Sequence, residues 1–231
     1  MLKSDLHCHV KGDPIDNIPY TPEQLIDKAS AHGYSILAIT CHDTVIFNDH
    51  LKNYAASRNI LLIPGAEKTL QGKHVLLYNI TQQELENITT FDGLRNLKCK
   101  KNDLLVIAPH PYYPGFSLQK LFEENHDLFD GIEYSHFYFY FINFFNKQAE
   151  RAAKKYNQPL IGNSDCHIFT QFGTTYSLID TKQTNADVVA AIRSGKVTCV
   201  SKSLSPLRFA IITLWIMKAL TFFTIKKIFK P

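Results

Sequence analysis

The sequence predicts an α/β barrel, and three features of the chain lead to this prediction. Short apolar runs rich in β-branched residues alternate with longer stretches of helical pattern, which is typical of parallel strands joined by crossover helices. About seven such units fit into residues 1–200, which favours a closed, irregular barrel over an open doubly wound sheet. Histidines and acidic residues directly follow several apolar runs, where a parallel barrel has its functional face.

The predicted elements follow one another along residues 1–200. Strands are predicted at residues 2–6, 35–40, 60–63, 74–80, 104–108, 131–134, 160–161 and 197–200. Helices are predicted at residues 21–33, 47–58, 117–125, 140–157 and 185–194, with one more capped by Thr81. Thr21 is expected to cap the first helix, with Pro22 at its first position. Pro64-Gly65 is expected to end the third strand, and the strands are expected to pair in parallel.

The composition is that of an ordinary globular protein, with 45% hydrophobic and 20% charged residues. A chain of 231 residues can bury a substantial core without disulfides or a structural metal. The five cysteines are odd in number and form no CxxC pair, which favours a reducing compartment. The first residues lead straight into a motif without a signal-peptide pattern, so we expect a cytoplasmic protein.

Charge divides the chain near residue 200. The net charge is +4, but residues 201–231 contain six basic and no acidic residues, which leaves residues 1–200 at −2. We therefore predict a barrel over residues 1–200 and a basic, apolar helical extension over residues 201–231. The extension is expected to contact a membrane surface, peripheral to the inner face of the membrane, or to dock on the barrel or on a second subunit. A membrane span also stays open, although the apolar stretch 209–225 is shorter than the roughly 20 residues that a span needs.

Five polar clusters each follow a predicted strand. They are Asp5 to His9, Cys41 to Asp43, Gly65 to Glu67, Pro109 to Pro111 and Ser164 to His167. Because parallel strand ends open on one face of a barrel, these clusters are expected to converge. His7 and His9 point to the same side of an extended strand, and Asp5 is expected to cap the chain or to orient an imidazole. Histidines 32, 50 and 126 lie on predicted helical or loop stretches outside these clusters and are expected to lie elsewhere.

Imidazoles and carboxylates are the ligands of zinc, manganese and iron. These clusters hold more ligands than one ion needs, so we predict two or three divalent ions that share a bridging carboxylate. Adjacent divalent ions suit the hydrolysis of a phosphate ester, because they clamp its oxygens and lower the pKa of a bridging water. Cys8, Cys41 and Cys166 flank the predicted ligands and are expected to be small buried fillers.

The order of these motifs closely resembles that of the PHP (polymerase and histidinol phosphatase) family. The resemblance is carried by Asp5-Leu6-His7-Cys8-His9, Ala38 to Thr44, Pro64 to Glu67, Ala108 to Pro111, Gly131 to Glu133 and Gly162 to His167. It covers about residues 1–200. It implies a distorted, TIM-like (β/α)7 barrel with a trinuclear metal centre and phosphoesterase activity.

The resemblance also implies which residues hold the ions. A first ion would lie among His7, His9, Glu67 and Asp165, a second among Glu67, His74 and His110, and a third between His42 and His167. His74 is alternatively a buried strand residue. Relatives usually place a Ser-Asp pair after the first motif, where this chain has Asp13 and Pro14. Asp13 or Asp16 is expected to supply the missing ligand of the third ion, which is otherwise weakly bound or absent.

We predict a hydrolase that cleaves a phosphate ester by means of a metal-bridged hydroxide. Glu67 and Asp165 would hold the ions, and His167 or His136 would protonate the leaving oxygen, with a pocket-wall role as the alternative for His136. The expected substrate is a small phosphomonoester, a nucleotide or an oligonucleotide, so nucleic acid is one expected partner. The alternatives are a histidinol-phosphate phosphatase and a non-catalytic, metal-stabilised PHP module that binds a partner.

Two further features have open interpretations. Lys11, Lys68 and Lys73 follow ligand motifs and are weak candidates for binding further phosphates. Residues 137–145 read FYFYFINFF, and we call them the aromatic segment. We interpret this segment as partly core, with a stacking platform for a nucleobase or a hydrophobic lid as alternatives.

Overall fold

The computed structural model describes residues 1–228, with side chains described for residues 1–218. The strands over this range are β1 (Leu2–Asp5), β2 (Ile36–Ile39), β3 (Leu61–Leu70), β4 (Lys73–Tyr78), β5 (Leu105–Ala108), β6 (Gly131–Ser135), β7 (Leu160–Asn163), β8 (Thr175–Ile179) and β9 (Val197–Ser201). They form one sheet in the order β7-β6-β5-β4-β3-β2-β1-β8-β9.

Eight α-helices and one short 3₁₀ helix (His126–Leu128) lie within the same range. The α-helices are α1 (Pro22–Ala31), α2 (Asp49–Ala56), α3 (Gln82–Asn87), α4 (Phe91–Lys100), α5 (Lys120–Glu124), α6 (Phe144–Tyr156), α7 (Asn185–Arg193) and α8 (Pro206–Ile228). As predicted, Thr21 caps α1 and Pro22 is its first residue, and Thr81 caps α3. The α6 helix begins at Phe144 and not at residue 140, because Tyr140 has a φ of 45°, outside the right-handed helical region.

Among the named strands, parallel pairing occurs in two sets of neighbours, β1-β2-β3 and β5-β6-β7. The expectation of parallel pairing is wrong for β4, β8 and β9, which run antiparallel to their neighbours. The β4 strand reverses direction because Gln71 and Gly72, both with positive φ, form a two-residue hairpin turn after β3. Pro64 does not end β3: it is the last residue paired with β2, and the strand continues along β4.

The β8 strand, which the sequence patterns do not predict, brings the sheet round towards β7. It pairs antiparallel with β1 on one side and with β9 on the other. The Ser177 hydroxyl accepts from the Gly162 N–H at 2.8 Å and donates to the Gly162 carbonyl at 3.0 Å. Asn163 Oδ1 accepts from the Leu6 N–H at 2.9 Å, which ties β7 to the end of β1. The sheet is therefore a nearly closed barrel, as predicted.

Apolar side chains fill the inside of this barrel. Leu6, Ile63 and Ile161 are almost completely buried there, and α7 packs against them through Val188 and Ile192. Two further apolar clusters lie beneath α1 and α2 and beneath α3 to α6. Because the interior is apolar, the buried polar side chains gather where the strands end.

The α8 helix docks on the barrel. The Phe209 ring stacks on Phe137 with centroids 5.4 Å apart, Ile212 is fully buried, and the Trp215 ring lies 5.1 Å from that of His167. Docking on the barrel, one of the alternatives for the extension, is thus observed, whereas contact with a membrane surface or a second subunit stays a prediction. Among the residues whose side chains are described, 1–218, no helix has the length and apolar character needed to cross a membrane. Residues 229–231 of the predicted extension lie outside the described residues.

The aromatic segment is core only in part. Phe137 and Phe139 pack on Phe209 of α8, with the Phe139 and Phe209 ring centroids 4.9 Å apart. Phe141, by contrast, is 89% exposed, so the segment is partly core, as predicted. Residues 140–142 are exposed because they lie in the loop that precedes α6.

Close packing between β7 and its neighbours across the barrel leaves no room for a side chain at Gly162. An added Cβ would lie 2.6 Å from the Tyr176 carbonyl oxygen and 2.9 Å from Cys199 Sγ. We expect Gly162→Ala to lower the free energy of unfolding by about 1–3 kcal/mol, as overpacking does, in urea denaturation. Gly93→Ala in α4 is the control, because its nearest contact would be Thr90 Oγ1 at 3.4 Å. Unchanged stability of the Gly162 variant would contradict the tight closure.

Candidate metal centre

The predicted site residues converge on one buried carboxylate, that of Glu67, which is 1% exposed. Glu67 lies in β3 beyond Pro64, in the part of the strand that pairs with β4. Five imidazoles surround it. From Glu67 Oε2 the distances are 3.5 Å to His7 Nε2, 3.5 Å to His9 Nε2 and 3.2 Å to His42 Nε2, and from Oε1 they are 2.9 Å to His74 Nδ1 and 3.3 Å to His110 Nε2.

Most of these contacts have the spacing of ligands around an ion. Contacts of 3.2–3.5 Å are longer than a charge-assisted hydrogen bond of about 2.7–2.9 Å. They match the separation of about 3.4 Å between two ligand atoms that each lie about 2.1 Å from a tetrahedral ion. Among the described residues, His7 Nε2 and His9 Nε2 are buried without a hydrogen-bond partner. Because buried polar atoms are normally paired, this donor set fits divalent cations.

Asp165 supplies a second carboxylate to the same group. Its Oδ1 atom lies 3.3 Å from His7 Nε2 and 3.5 Å from His9 Nε2. Asp165 has a φ of 46° and His110 a φ of 27°, both in the left-handed region that residues with a side chain rarely adopt. Strained backbone of this kind persists only where surrounding structure holds it, and it clusters at functional sites.

Glu133, in the middle of β6, orients two histidines. Its Oε1 atom accepts hydrogen bonds from His7 Nδ1 at 2.8 Å and from Asn163 Nδ2 at 2.9 Å, and its Oε2 atom accepts from the His110 N–H at 2.8 Å. With Nδ1 donating, the lone pair of His7 Nε2 faces the centre. The sequence predicts no role for Glu133 beyond its place in a motif. A carboxylate within a mainly apolar strand, where its charge needs partners, is the signal that could have found it.

Asp13 has the same relation to His9 and His42. Its Oδ2 atom lies 2.8 Å from His9 Nδ1 and 3.0 Å from His42 Nδ1. Its Oδ1 atom accepts from the backbone N–H groups of Ile15 and Asp16, each at 2.9 Å. With its oxygens used in this way, Asp13 is better placed to orient imidazoles than to act as the predicted ligand.

Asp16 is the carboxylate that faces the third predicted group. Its Oδ2 atom lies 3.2 Å from His167 Nε2 and 3.8 Å from His42 Nδ1. The His9 ring lies next to both histidines: its centroid is 4.6 Å from that of the His42 ring and 4.0 Å from that of the His167 ring. Of the two alternatives from the sequence, the geometry favours Asp16 over Asp13 as a ligand beside His42 and His167.

Asp5 does not orient an imidazole. Its Oδ1 atom accepts from the backbone N–H groups of Ser164, at 3.1 Å, and of His7, at 3.3 Å. Burial raises the pKa of Asp5 to about 7. Asp5 therefore caps backbone at the ends of β1 and β7, the first of the two roles expected from the sequence.

Burial and neighbouring charges have opposite effects on the pKa values of the clustered histidines and carboxylates. Burial disfavours the charged form of Glu67, but the surrounding imidazoles, foremost His74, hold the pKa of Glu67 well below its usual value. Burial likewise opposes protonation of His167, yet the Asp165 carboxylate outweighs it and raises the pKa of His167 to about 9. At His136 burial prevails and lowers the pKa to about 4.

A cavity of about 380 Å³ opens onto this group. It is lined by Glu67, Asp165 and Asp16, by His42, His74, His110, His136 and His167, and by a wall that includes Phe137 and Trp215. No lysine or arginine occurs among the described lining residues. Lys68 pairs with Asp43 at 3.1 Å, Lys73 donates to the Gly115 carbonyl, and Lys11 also lies outside the lining. None of the three lysines lines this cavity, and their binding of further phosphates stays a prediction.

His136 is buried at the cavity, with a relative exposure of 2%. Neither of its ring nitrogens has a hydrogen-bond partner among the residues with described side chains. The His136 imidazole is thus placed to contact a molecule bound in the cavity. The geometry by itself leaves both of its predicted roles, proton donor and pocket wall, as predictions.

The residues that the sequence sets aside lie apart from the centre. The cysteines beside the ligands are fully buried in the apolar cluster beneath α1 and α2, as expected of fillers: Cys8, Cys41 and Cys166. His32 hydrogen-bonds the Lys28 carbonyl, and His50 lies 3.3 Å from Glu23 on the surface. Both contacts fit the expectation that these histidines are not ligands.

Known proteins resemble this chain in sequence over about half its length. A family model described as PHP-associated matches residues 143–197. The PolC-type DNA polymerase III of Streptococcus thermophilus is 34% identical over 115 residues, which are 48% of this chain and 8% of the polymerase. The chain therefore corresponds to a small part of that relative.

Solved structures resemble the chain over most of its length. A two-domain protein of Bacteroides vulgatus that contains a predicted PHP-like metal-dependent phosphoesterase superposes with a TM-score of 0.66 at 19% identity, over 87% of this chain and 64% of that one. The lesion-specific endonuclease Q of Pyrococcus furiosus superposes with a TM-score of 0.59 at 16% identity, over 86% of this chain and 57% of that one. With the barrel and the histidine–carboxylate clusters, these matches confirm the resemblance to the PHP family that the sequence motifs predict.

Proposed function

We propose that the chain is a metal-dependent phosphoesterase that hydrolyses a phosphate ester. The observation that carries this proposal is the convergence of five imidazoles on Glu67 at the cavity, with Asp165 beside them. Adjacent cations in such a cluster suit the hydrolysis of a phosphate ester, because they stabilise the negative charge of the reacting phosphate. The PHP-like phosphoesterase among the similar structures supports the same reaction class.

Two or three divalent ions such as manganese, zinc or iron would occupy the centre. His7 and His9, which also contact Asp165, face Glu67 Oε2, whereas His74 and His110 face Glu67 Oε1. A carboxylate whose two oxygens face different groups of imidazoles is placed to bridge two ions. A third ion would be held by His42, His167 and Asp16.

The residues around the ligands prepare the site. When bound, divalent ions polarise phosphoryl oxygens and lower the pKa of water. Glu133 and Asp13 accept the Nδ1 protons of His7 and His9, so the Nε2 lone pairs of both rings face inward. The mainly apolar cavity walls would exclude water from around a bound ester except at the polar end. His136 would hydrogen-bond the substrate with its unpaired ring nitrogens.

The similarity to a lesion-specific endonuclease and to a PolC-type polymerase extends the proposal to nucleotides and nucleic acids as substrates. The cavity itself supports a small phosphate ester better. Its described lining contains no lysine or arginine to pair with a phosphate backbone. A panel with histidinol phosphate, a nucleoside monophosphate and a dinucleotide would separate these substrate classes.

Glu67→Gln tests the proposed function directly. We expect the variant to lose its bound metal and its turnover, because the neutral amide cannot bridge cations. Metal content would be measured by mass spectrometry and turnover by phosphate release from a phosphoester panel with added manganese. Glu86→Gln, an exposed change in α3, is the control. Full activity of the Glu67 variant would overturn the site assignment, and wild-type protein without any turnover would favour a non-catalytic module.

Glu133→Gln tests whether outer carboxylates orient the ligands. The amide loses the charge that holds the His7 Nδ1 proton, so we expect metal affinity to fall by about 10–100-fold. The affinity would be measured by competition with a chelator of known strength. A thermal melt without metal checks that the fold persists. Unchanged affinity in a folded variant would show that Glu133 does not support the centre.

His136→Phe separates a contact with the substrate from a purely space-filling role. Phenylalanine keeps an aromatic ring at the wall but lacks the two unpaired nitrogens. If His136 contacts the reacting group, kcat falls on the order of 100-fold while metal content stays at the wild-type level. Normal kcat would leave His136 as a wall residue only.

A further inference from the structure

The cavity has two chemically different parts. One part is the group of histidines and carboxylates described above. The other part is built from Ile15, Tyr113, Phe116, Phe137, Trp215 and Ile216, and it makes the exposed cavity surface mainly apolar. Pockets with apolar walls and a few polar groups at one place bind ligands that are themselves polar at one end.

Two aromatic rings of the wall lie directly on histidines of the centre. The Phe116 ring stacks on His74 with centroids 4.9 Å apart and an angle of 3° between the planes. The Trp215 ring lies 5.1 Å from that of His167. An organic group attached to a phosphate at these histidines therefore meets aromatic faces.

The charges of the lining exclude a second phosphate. Asp16, Glu67 and Asp165 line the cavity, and its described lining contains no lysine or arginine. The ions of the proposed centre would neutralise one phosphate. A further phosphate would lie beside apolar rings without a cation, where burying its charge is costly.

The helix that supplies Trp215 is fixed in place by the aromatic segment. Phe209, six residues before Trp215, packs on Phe137 and Phe139. The Leu204 N–H donates to the Tyr138 carbonyl at 3.1 Å, just before α8 begins. Trp215 is therefore a positioned part of the wall.

We propose that the site takes a phosphate ester with a single phosphate and an aromatic or apolar organic group, and that Trp215 determines this specificity. This inference rests on the proposed phosphoesterase function and narrows its substrate class. Trp215 contacts the organic group of the substrate, whereas the metal centre binds the phosphate.

The test compares binding of phenylphosphonate and methylphosphonate, two non-hydrolysable phosphate mimics, to the metal-loaded protein by calorimetry. We expect phenylphosphonate to bind at least about fivefold more tightly, as aromatic stacking implies. Trp215→Ala should remove this preference and leave methylphosphonate binding unchanged. The control is Leu214→Ala, a change on the same helix at a side chain that is 66% exposed and outside the cavity lining.

Trp215 is the single tryptophan of the chain, so its fluorescence reports on the wall in the unaltered protein. Phenylphosphonate should change the emission at concentrations where methylphosphonate does not, which keeps the test valid if Trp215→Ala fails to fold. Equal binding of both phosphonates, or a preference that persists in Trp215→Ala, would overturn the inference while leaving phosphoesterase activity intact. Failure of both phosphonates to bind, together with absent turnover, would instead overturn the proposed function.

Discussion

The buried carboxylate of Glu67 is the constraint on which the rest of the structure depends. A charge that is 1% exposed needs compensation, and five imidazoles from separate parts of the chain supply it. These imidazoles come from the ends of β1, β2 and β5 and from the start of β4. The chain must therefore close its sheet nearly into a barrel, because only then do these positions meet. The apolar interior of the barrel and the close packing at Gly162 stabilise the arrangement in which these positions meet.

The reversal of β4 is what brings His74 into the group. In a fully parallel barrel only residues at the carboxyl ends of strands reach the functional face. The β4 strand runs the other way, so its second residue, His74, lies at that face and its ring contacts Glu67. A hairpin turn at Gln71-Gly72 thus contributes a candidate ligand. The departure from regular β/α alternation is part of how the site is built.

The sequence predicts the residues near Glu67 better than the residues that orient them. His7, His9 and Asp165 follow apolar runs, and strand geometry alone is enough to bring such positions together. The roles of Glu133, Asp13 and Asp16 depend on which oxygen faces which ring nitrogen, and that follows from loop conformations without a sequence period. The β8 strand escapes prediction because the polar Thr175 and Ser177 are buried while the apolar Leu178 is only half-buried, so hydrophobicity does not follow the alternation of burial. The parallel assumption fails at β4 for a similar reason, since a two-residue turn decides the direction.

The division of the chain by charge near residue 200 does not divide the cavity. Residues 201–231 differ from the barrel in composition, yet Trp215 and Ile216 of α8 line the same cavity as Glu67 and Asp165. Phe209 holds this helix against the aromatic segment, which itself follows β6 and its carboxylate Glu133. The loop after β6 therefore connects the residues that orient the ligands with the helix that walls the cavity. Docking of α8 therefore affects which molecules can enter the site. The polar centre is built from residues of the barrel, whereas the extension contributes to the shape and polarity of the cavity entrance.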